Sequence, residues 1–507
     1  MHKVIKVLLA GLLVLILISS TTVAWSQFNY NESNIRYSYS GIPKTDSAGK
    51  KWEAELDLEE FSTVTEVSPP LIVKDKVIIS VFGLSKEFVI EGMVEALKVF
   101  FGVELPLPLE VISAINTLTT PPTISKIYVL DAESGEVIAD IPPLPGRAIL
   151  ASDGERLFIG TGAFPDVWKG YIICVELDSL TADSGIQEWN TYVHTIESMT
   201  IADDKVIISS GTEVTCLNAD NGEVVWTYDE IGVGEYITGP PAVADGRVFF
   251  TTDDYKLYCL DLSDGTKEWE KEIGGPYVIY PSTPPTPPAI LSGKIYIGAD
   301  SALYCLDMNG DEICKYSEFG SFSPSFSAYT LSNGERAPPS VAPDGRVYVH
   351  YSSGLLTHKL YCLEPKEGKL VKSWEFPIDS DSNVVVANDK IIVGKKAGFN
   401  LEVYCLDRFN GNIIWKMEIE KGSWLSSWGC ADAPRVANSK IFLSLAKSPL
   451  RDIKLMCLSP TNVVIKIMSP TQSSPASAGA YDNPSHIQVT VEVKEGNTPI
   501  TGLTMDD

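Results

Sequence analysis

The sequence predicts an all-β chain folded as an eight-bladed β-propeller of four-stranded antiparallel blades. Three observations carry this expectation. A Leu-Asp-like element recurs eight times, at Leu130-Asp131, Leu177-Asp178, Leu217-Asn218, Leu260-Asp261, Leu306-Asp307, Leu363-Glu364, Leu406-Asp407 and Leu458-Ser459. The copies lie 40 to 57 residues apart, close to the period of four-stranded propeller units. Trp follows a turn glycine by four residues in four copies, at Gly185/Trp189, Gly222/Trp226, Gly265/Trp269 and Gly411/Trp415. One large apolar plate per unit suits sheets stacked around a ring better than a solenoid or a string of sandwiches. Three copies drift: Ala139 and Cys314 stand in the Trp place, and Trp374 comes two residues late after Gly368.

The chain opens on a targeting signal. Lys3 and Lys6 precede an apolar run from Val7 to Ile18, and the small residues Thr22 and Ala24 suit cleavage after residue 24. The run is short for a membrane span, which takes about 20 residues. A signal peptide over residues 1–24, or an anchor if uncleaved, predicts a secreted or cell-surface protein. No later segment is long and apolar enough to span a bilayer.

The propeller is expected over residues 25–460. Its plainest unit runs from Pro241 to Trp269, with Asp245-Gly246 as the turn of the first hairpin, because Gly accepts positive φ. In the second hairpin Asp261 can accept a loop N–H while Gly265 takes the left-handed position. The same roles fall to Asp131, Asp178, Asp307 and Asp407. The stretches Asn218–Gly222 and Asp261–Gly265 lack a full calcium-loop pattern and read as such turns. The eighth unit has no Gly–Trp outer strand of its own. Lys50-Lys-Trp52-Glu-Ala-Glu-Leu56 looks like an outer strand with no unit before it, and placing it there closes the ring and leaves no open edge. Deleting residues 25–60 should then destabilise the last blade.

Residues 84–124 interrupt the first blade. Phe88 to Phe101 has the dense apolar pattern of a helix, Pro106 and Pro108 break it, and Leu109 to Leu118 suits a second. The insertion is expected to pack over one end of the ring, with a docking element for a partner or membrane as the alternative. Residues 461–485 read as a Pro/Ser-rich linker. Residues 486–507, with alternation from Ile487 to Val493, read as the start of an immunoglobulin-like module cut short, or as a tail.

The motif Tyr258-Cys-Leu-Asp261 with Gly265 and Trp269 resembles the repeat of eight-bladed pyrroloquinoline-quinone-type (quinoprotein-like) propellers. Trp25-Ser-Gln-Phe28 also resembles how such domains begin. The resemblance covers about residues 25–460 and implies the fold, not one function. The family spans quinone-dependent alcohol dehydrogenases, a propeller lipoprotein of outer-membrane assembly, and non-catalytic surface proteins.

Composition narrows the choice. The chain has 507 residues, 66 acidic against 40 basic, five His, and a net charge of −26. That balance opposes sequence-independent nucleic-acid binding and docking on anionic membranes. A quinone dehydrogenase needs a base carboxylate and calcium ligands, and many relatives carry adjacent cysteines. No adjacent cysteines occur, and no ligand set stands out from the turn acids. No catalytic residue, metal site or cofactor is therefore expected; pyrroloquinoline quinone and calcium belong to the dehydrogenase alternative. Cys216, Cys259, Cys305, Cys362, Cys405 and Cys457 share one repeated place on different blades, too far apart to bridge. Any disulfide should involve Cys174, Cys314 or Cys430.

Extra length points to a binding face. In a blade, links from second to third strand and from outer to next inner strand leave on one face. The long segments 84–124, 162–170, 273–286, 318–337 and 420–432 all fall there, and long loops on a rigid scaffold favour binding. They carry Trp168, Tyr277, Tyr280, Phe322, Phe326, Trp424 and Trp428, suited to a protein or glycan partner. The sequence thus predicts an exported, monomeric, non-enzymatic scaffold binding a protein or glycan. A quinone-dependent alcohol or sugar dehydrogenase and an envelope protein-assembly scaffold are the alternatives.

Overall fold

The computed structural model describes residues 37–38, 48–86, 123–162, 170–180, 187–194, 196–274, 284–299, 302–317, 338–352, 358–378, 383–397, 400–421, 427–430, 434–448, 453–460, 494–495 and 498–499. Eight antiparallel sheets follow one another along the chain. The blades span residues 61–145, 148–193, 198–228, 242–272, 289–316, 340–378 and 383–420, and the eighth combines 427–460 with 48–55.

Blade 4 shows how the repeat folds. Its strands Ala242–Ala244, Arg247–Thr251, Lys256–Asp261 and Lys267–Glu272 pair in chain order. Asp245 and Gly246 both take positive φ, at 51° and 72°, the geometry that matches strand twist in a two-residue hairpin. In the second hairpin Asp261 Oδ1 accepts the Ser263 N–H at 2.7 Å, and Gly265 sits at φ 74°. These turn carboxylates are held ionised by the loop. Ser263 holds Asp261 below the usual carboxylate range, and backbone N–H groups do the same for Asp131 and Asp307.

The tryptophans join blades. The Trp226 ring lies over Gly265 of the next blade, where an added Cβ would sit 2.6 Å from Cδ2, and Trp226 Nε1 donates to the Leu262 carbonyl at 2.9 Å. Trp52, Trp189 and Trp374 donate likewise to Ala132, Ala219 and Arg408. Trp269 lies against Gly310, but Arg247 takes the Met308 carbonyl at 3.3 Å. The glycine of the motif thus meets two demands: a left-handed backbone and room for the neighbour's indole.

Closure follows the expectation. Ala48–Glu55 pairs antiparallel with Ile453–Pro460, with Trp52 opposite Cys457. The buried apolar side chains of the described residues form eight clusters, one at each junction of neighbouring blades. The cluster between blades 8 and 1 contains Trp52, Phe61, Val77, Phe442 and Leu455. Ser444 Oγ also donates across this seam to the Ser68 carbonyl at 3.0 Å.

Three readings of the repeat need correction. Trp374 is not displaced: it faces Cys362 as the other tryptophans face their cysteines. Its hairpin turns on Glu367 and Gly368, with φ 51° and 75°, and the tight turn adds strand residues before the Trp. Cys174 is in register, because it faces Trp189. Asp178 is not at the motif position: with Cys174 opposite Trp189 that place falls to Glu176, and a short 3-10 turn at Leu177–Ser179 carries Asp178 to 3.4 Å from the Lys74 ammonium.

One pairing has no counterpart in the sequence reading: Tyr37–Ser38 adds in parallel to the inner strand Asn383–Ala387 of blade 7. Residues 1–24, the helices expected within 84–124, the linker over 461–485 and the strand from Ile487 to Val493 lie outside the described residues. Within 486–507 a two-residue ladder joins Lys494–Glu495 to Thr498–Pro499.

Candidate functional site

Sheet topology puts the long links on one face. Residues 87–122 and 163–169 connect second to third strands, and 275–283, 318–337 and 422–426 lie between an outer strand and the strands of the next blade. Trp168, Tyr277, Tyr280, Phe322, Phe326 and Trp424 fall in these segments, outside the described residues. Trp428 differs from its expected loop position. It lies on the short strand Ser427–Cys430, in register with Lys447, because the long strand Lys440–Ser448 offers an edge that both Ser427–Cys430 and Arg435–Ala437 occupy.

The same face carries a link that the sequence reading passed over, residues 229–241 between blades 3 and 4. It is pinned at its base. Ile237 N–H donates to the Gly211 carbonyl at 2.7 Å, Tyr236 N–H to Asp253 Oδ1 at 2.8 Å, and Thr238 N–H to the Thr251 carbonyl at 2.9 Å. Above this base Gly232 to Glu235 form a turn closed by Glu235 N–H to the Gly232 carbonyl at 3.0 Å, with Gly234 at φ 86°. Val233 at the tip is fully exposed and Tyr236 is 54% exposed.

Charged groups frame it. Lys256 bridges Asp254 at 2.5 Å and Glu235 at 3.3 Å, and the Asp254 hydrogen bond raises its ammonium above the ordinary value. Toward blade 2, Tyr192 is 64% exposed and its ring lies 4.5 Å from that of Tyr171. His194 Nδ1 approaches Glu213 Oε1 at 3.6 Å. The hint of this surface in the sequence is Gly232-Val-Gly234, an apolar residue between two turn formers.

The structure also gathers three charges where blades 1 to 3 begin. Glu66 is buried on Phe61–Val67, and its Oε1 lies 3.7 Å from Arg147 Nη2, on the link into blade 2. Glu197, on the link into blade 3, has its carboxyl raised by burial, with Arg147 pulling the other way. Among the described residues no group of three or more His, Cys, Asp or Glu is placed to hold a metal ion. Arg147 stands where a cation would have to compete for these carboxylates, so this trio does not fit a calcium site.

The fold defines a closed repeat scaffold of eight blades. A family model described as outer membrane protein assembly factor BamB matches residues 124–231 and 175–417. The chain belongs to this pyrroloquinoline-quinone-type β-propeller repeat family. The outer membrane protein assembly factor BamB of Yersinia pestis is 24% identical over 263 residues, covering 47% of this chain and 62% of that protein. The chain thus spans less than two thirds of that relative. The BamB of Moranella endobia (strain PCIT) is 24% identical over 325 residues, 56% of this chain and 78% of that protein. Among solved structures, the quinohemoprotein alcohol dehydrogenase of Comamonas testosteroni shares the fold with a TM-score of 0.56 at 13% identity, covering 91% of this chain and 84% of that one.

Proposed function

We propose that this chain is a non-enzymatic assembly scaffold of the cell envelope that binds protein partners through its long-loop face. The observation that carries the reading is the pinned link 229–241, which holds Val233 and Tyr236 out in solvent on a rigid ring. The sequence relatives are assembly factors by name, which favours a protein partner over a glycan. They also favour an exported, envelope location. Among the described residues no helix is long and apolar enough to cross a membrane.

A photo-crosslinking residue at position 233 tests this in envelope preparations. Position 409 is the control, because Phe409 is 46% exposed but belongs to a hairpin on the opposite face. Discrete protein adducts from 233 and none from 409 are expected, with loss on Tyr236→Asp. Equal labelling from both positions refutes the proposal. The dehydrogenase alternative rests on fold likeness alone. Quinone and calcium added together should give neither a bound absorbance band nor dye-linked alcohol oxidation; both signals together would reverse the choice.

A further inference from the structure

In six blades the cysteine of the third strand faces a tryptophan of the outer strand: Cys174 faces Trp189, Cys216 faces Trp226, Cys259 faces Trp269, Cys362 faces Trp374, Cys405 faces Trp415 and Cys457 faces Trp52. Blade 5 departs from this rule, since Cys305 faces Cys314. Directly opposed residues of an antiparallel pair have Cα atoms about 4.5–5.5 Å apart. That lies inside the roughly 4.4–6.8 Å a disulfide spans.

Access differs between the two sulfurs. Cys305 is 2% exposed, whereas Cys314 is half-buried at the edge of the cluster between blades 5 and 6. Where other blades carry the indole, blade 5 carries this smaller side chain, and buried Leu370 of blade 6 packs in the same cluster.

We propose that Cys305 and Cys314 are a redox-active pair that closes to a cross-strand disulfide within blade 5. The oxidant is a small disulfide of the glutathione class. Coupling to the Cys305 thiol lowers the Cys314 thiol below its ordinary value, which makes Cys314 the attacking sulfur. Cys314 Sγ attacks one sulfur of the oxidant and expels the other as a thiolate. Cys305 Sγ then gives up its proton, attacks Cys314 Sγ, and expels the second thiolate. Two protein thiols are oxidised and one small disulfide is reduced to two thiols. A disulfide stabilises by constraining the unfolded chain, and least for a loop as short as this one. Thiol state, not melting temperature, is therefore the readout.

The full chain is reduced, desalted, exposed to oxidised glutathione, quenched with acid, denatured, alkylated and digested with trypsin. One tryptic peptide, residues 295–315, carries both cysteines. It should be recovered unalkylated and lighter by two hydrogens than the dithiol, and take two alkyl groups only after reduction. In Cys314→Ser, Cys305 should alkylate fully after the same oxidation. In Cys314→Trp, which restores the residue found in the other blades, Cys305 should stay free as well. Alkylation of both sulfurs in the oxidised wild type would overturn the proposal. So would glutathione left on Cys314, or a bond from Cys305 to any other cysteine.

Discussion

Replacing Trp52 tests the seam that closes the ring. Its side chain is 8% exposed, its ring lies 6.0 Å from Phe442, and Nε1 donates to the Ala132 carbonyl at 3.3 Å. A buried Trp withdraws about 200 Å² from water. At about 25 cal/mol per Å² that is about 5 kcal/mol, in line with about 3–5 kcal/mol measured for Trp-to-Ala changes in cores. The lost hydrogen bond adds little, about 1 kcal/mol at most, because the contact is long. Trp52→Ala should therefore destabilise the protein by about 4–5 kcal/mol, and Trp52→Phe, which keeps an aromatic plate, by about 1–2 kcal/mol. Equilibrium urea unfolding followed by far-ultraviolet circular dichroism measures both. The outer strand bearing Trp52 is held to Ile453–Pro460 only by ladder bonds, side-chain packing and the Lys454–Glu53 pair at 2.8 Å. Loosening it should also raise protease cleavage near residues 48–55. A Trp52→Ala protein within about 1 kcal/mol of wild type would refute the view that this indole seals the ring.

Three further outcomes follow from the same contacts. Gly246→Ala should cost about 1 kcal/mol, the φ penalty alone, because an added Cβ there meets nothing within 4 Å; Gly265→Ala, which also drives a Cβ into Trp226, should cost about 3 kcal/mol, and equal costs by urea unfolding would remove the indole from the explanation. Burial pushes the thiols of Cys216, Cys259, Cys362, Cys405 and Cys457 up from 9.0 to about 12. The folded state then holds protons that the unfolded chain releases, so stability should be intact below pH 9.0 and decline as pH rises toward 12; a flat urea midpoint between pH 8 and pH 11 would contradict this. Asp344 receives Arg408 at 2.9 Å and Arg346 at 2.5 Å, which outweigh burial and hold its carboxyl below the usual range. Its contribution is present above the unfolded value and lost as pH falls through the folded one, so Asp344→Asn should flatten the acid limb of the stability profile and cost about 1 kcal/mol at neutral pH, solvent screening limiting the pair.

Local pattern was sufficient for the blade because each role in it is local. Asp261 and Gly265 make their turn with groups four residues apart, and alternation sends Leu257 and Cys259 to one blade junction and Tyr258 and Leu260 to the other. Even the closing strand was legible, since a lone outer strand and a unit lacking one can satisfy each other only around a ring. Register was not legible wherever the turn changed length. Counting residues after the glycine displaced Trp374, and matching Leu-Asp pairs displaced Cys174 and Asp178, because a tight hairpin in one blade and a 3-10 turn in another alter the count without altering the ladder.

The sequence by itself determined that this protein is a ring of eight similar sheets, because turn chemistry and the two-faced alternation of a strand act over a few residues. Only the tertiary structure decided which residues meet across it. Arg147 joins Glu66 through the packing of consecutive blades, and Val233 stands free because Gly211 and Asp253, from two different blades, anchor the base of its loop. Cys314 faces Cys305 through strand register that a hairpin bulge sets. Such meetings depend on distances in space between groups separated along the chain, and a linear pattern does not encode them.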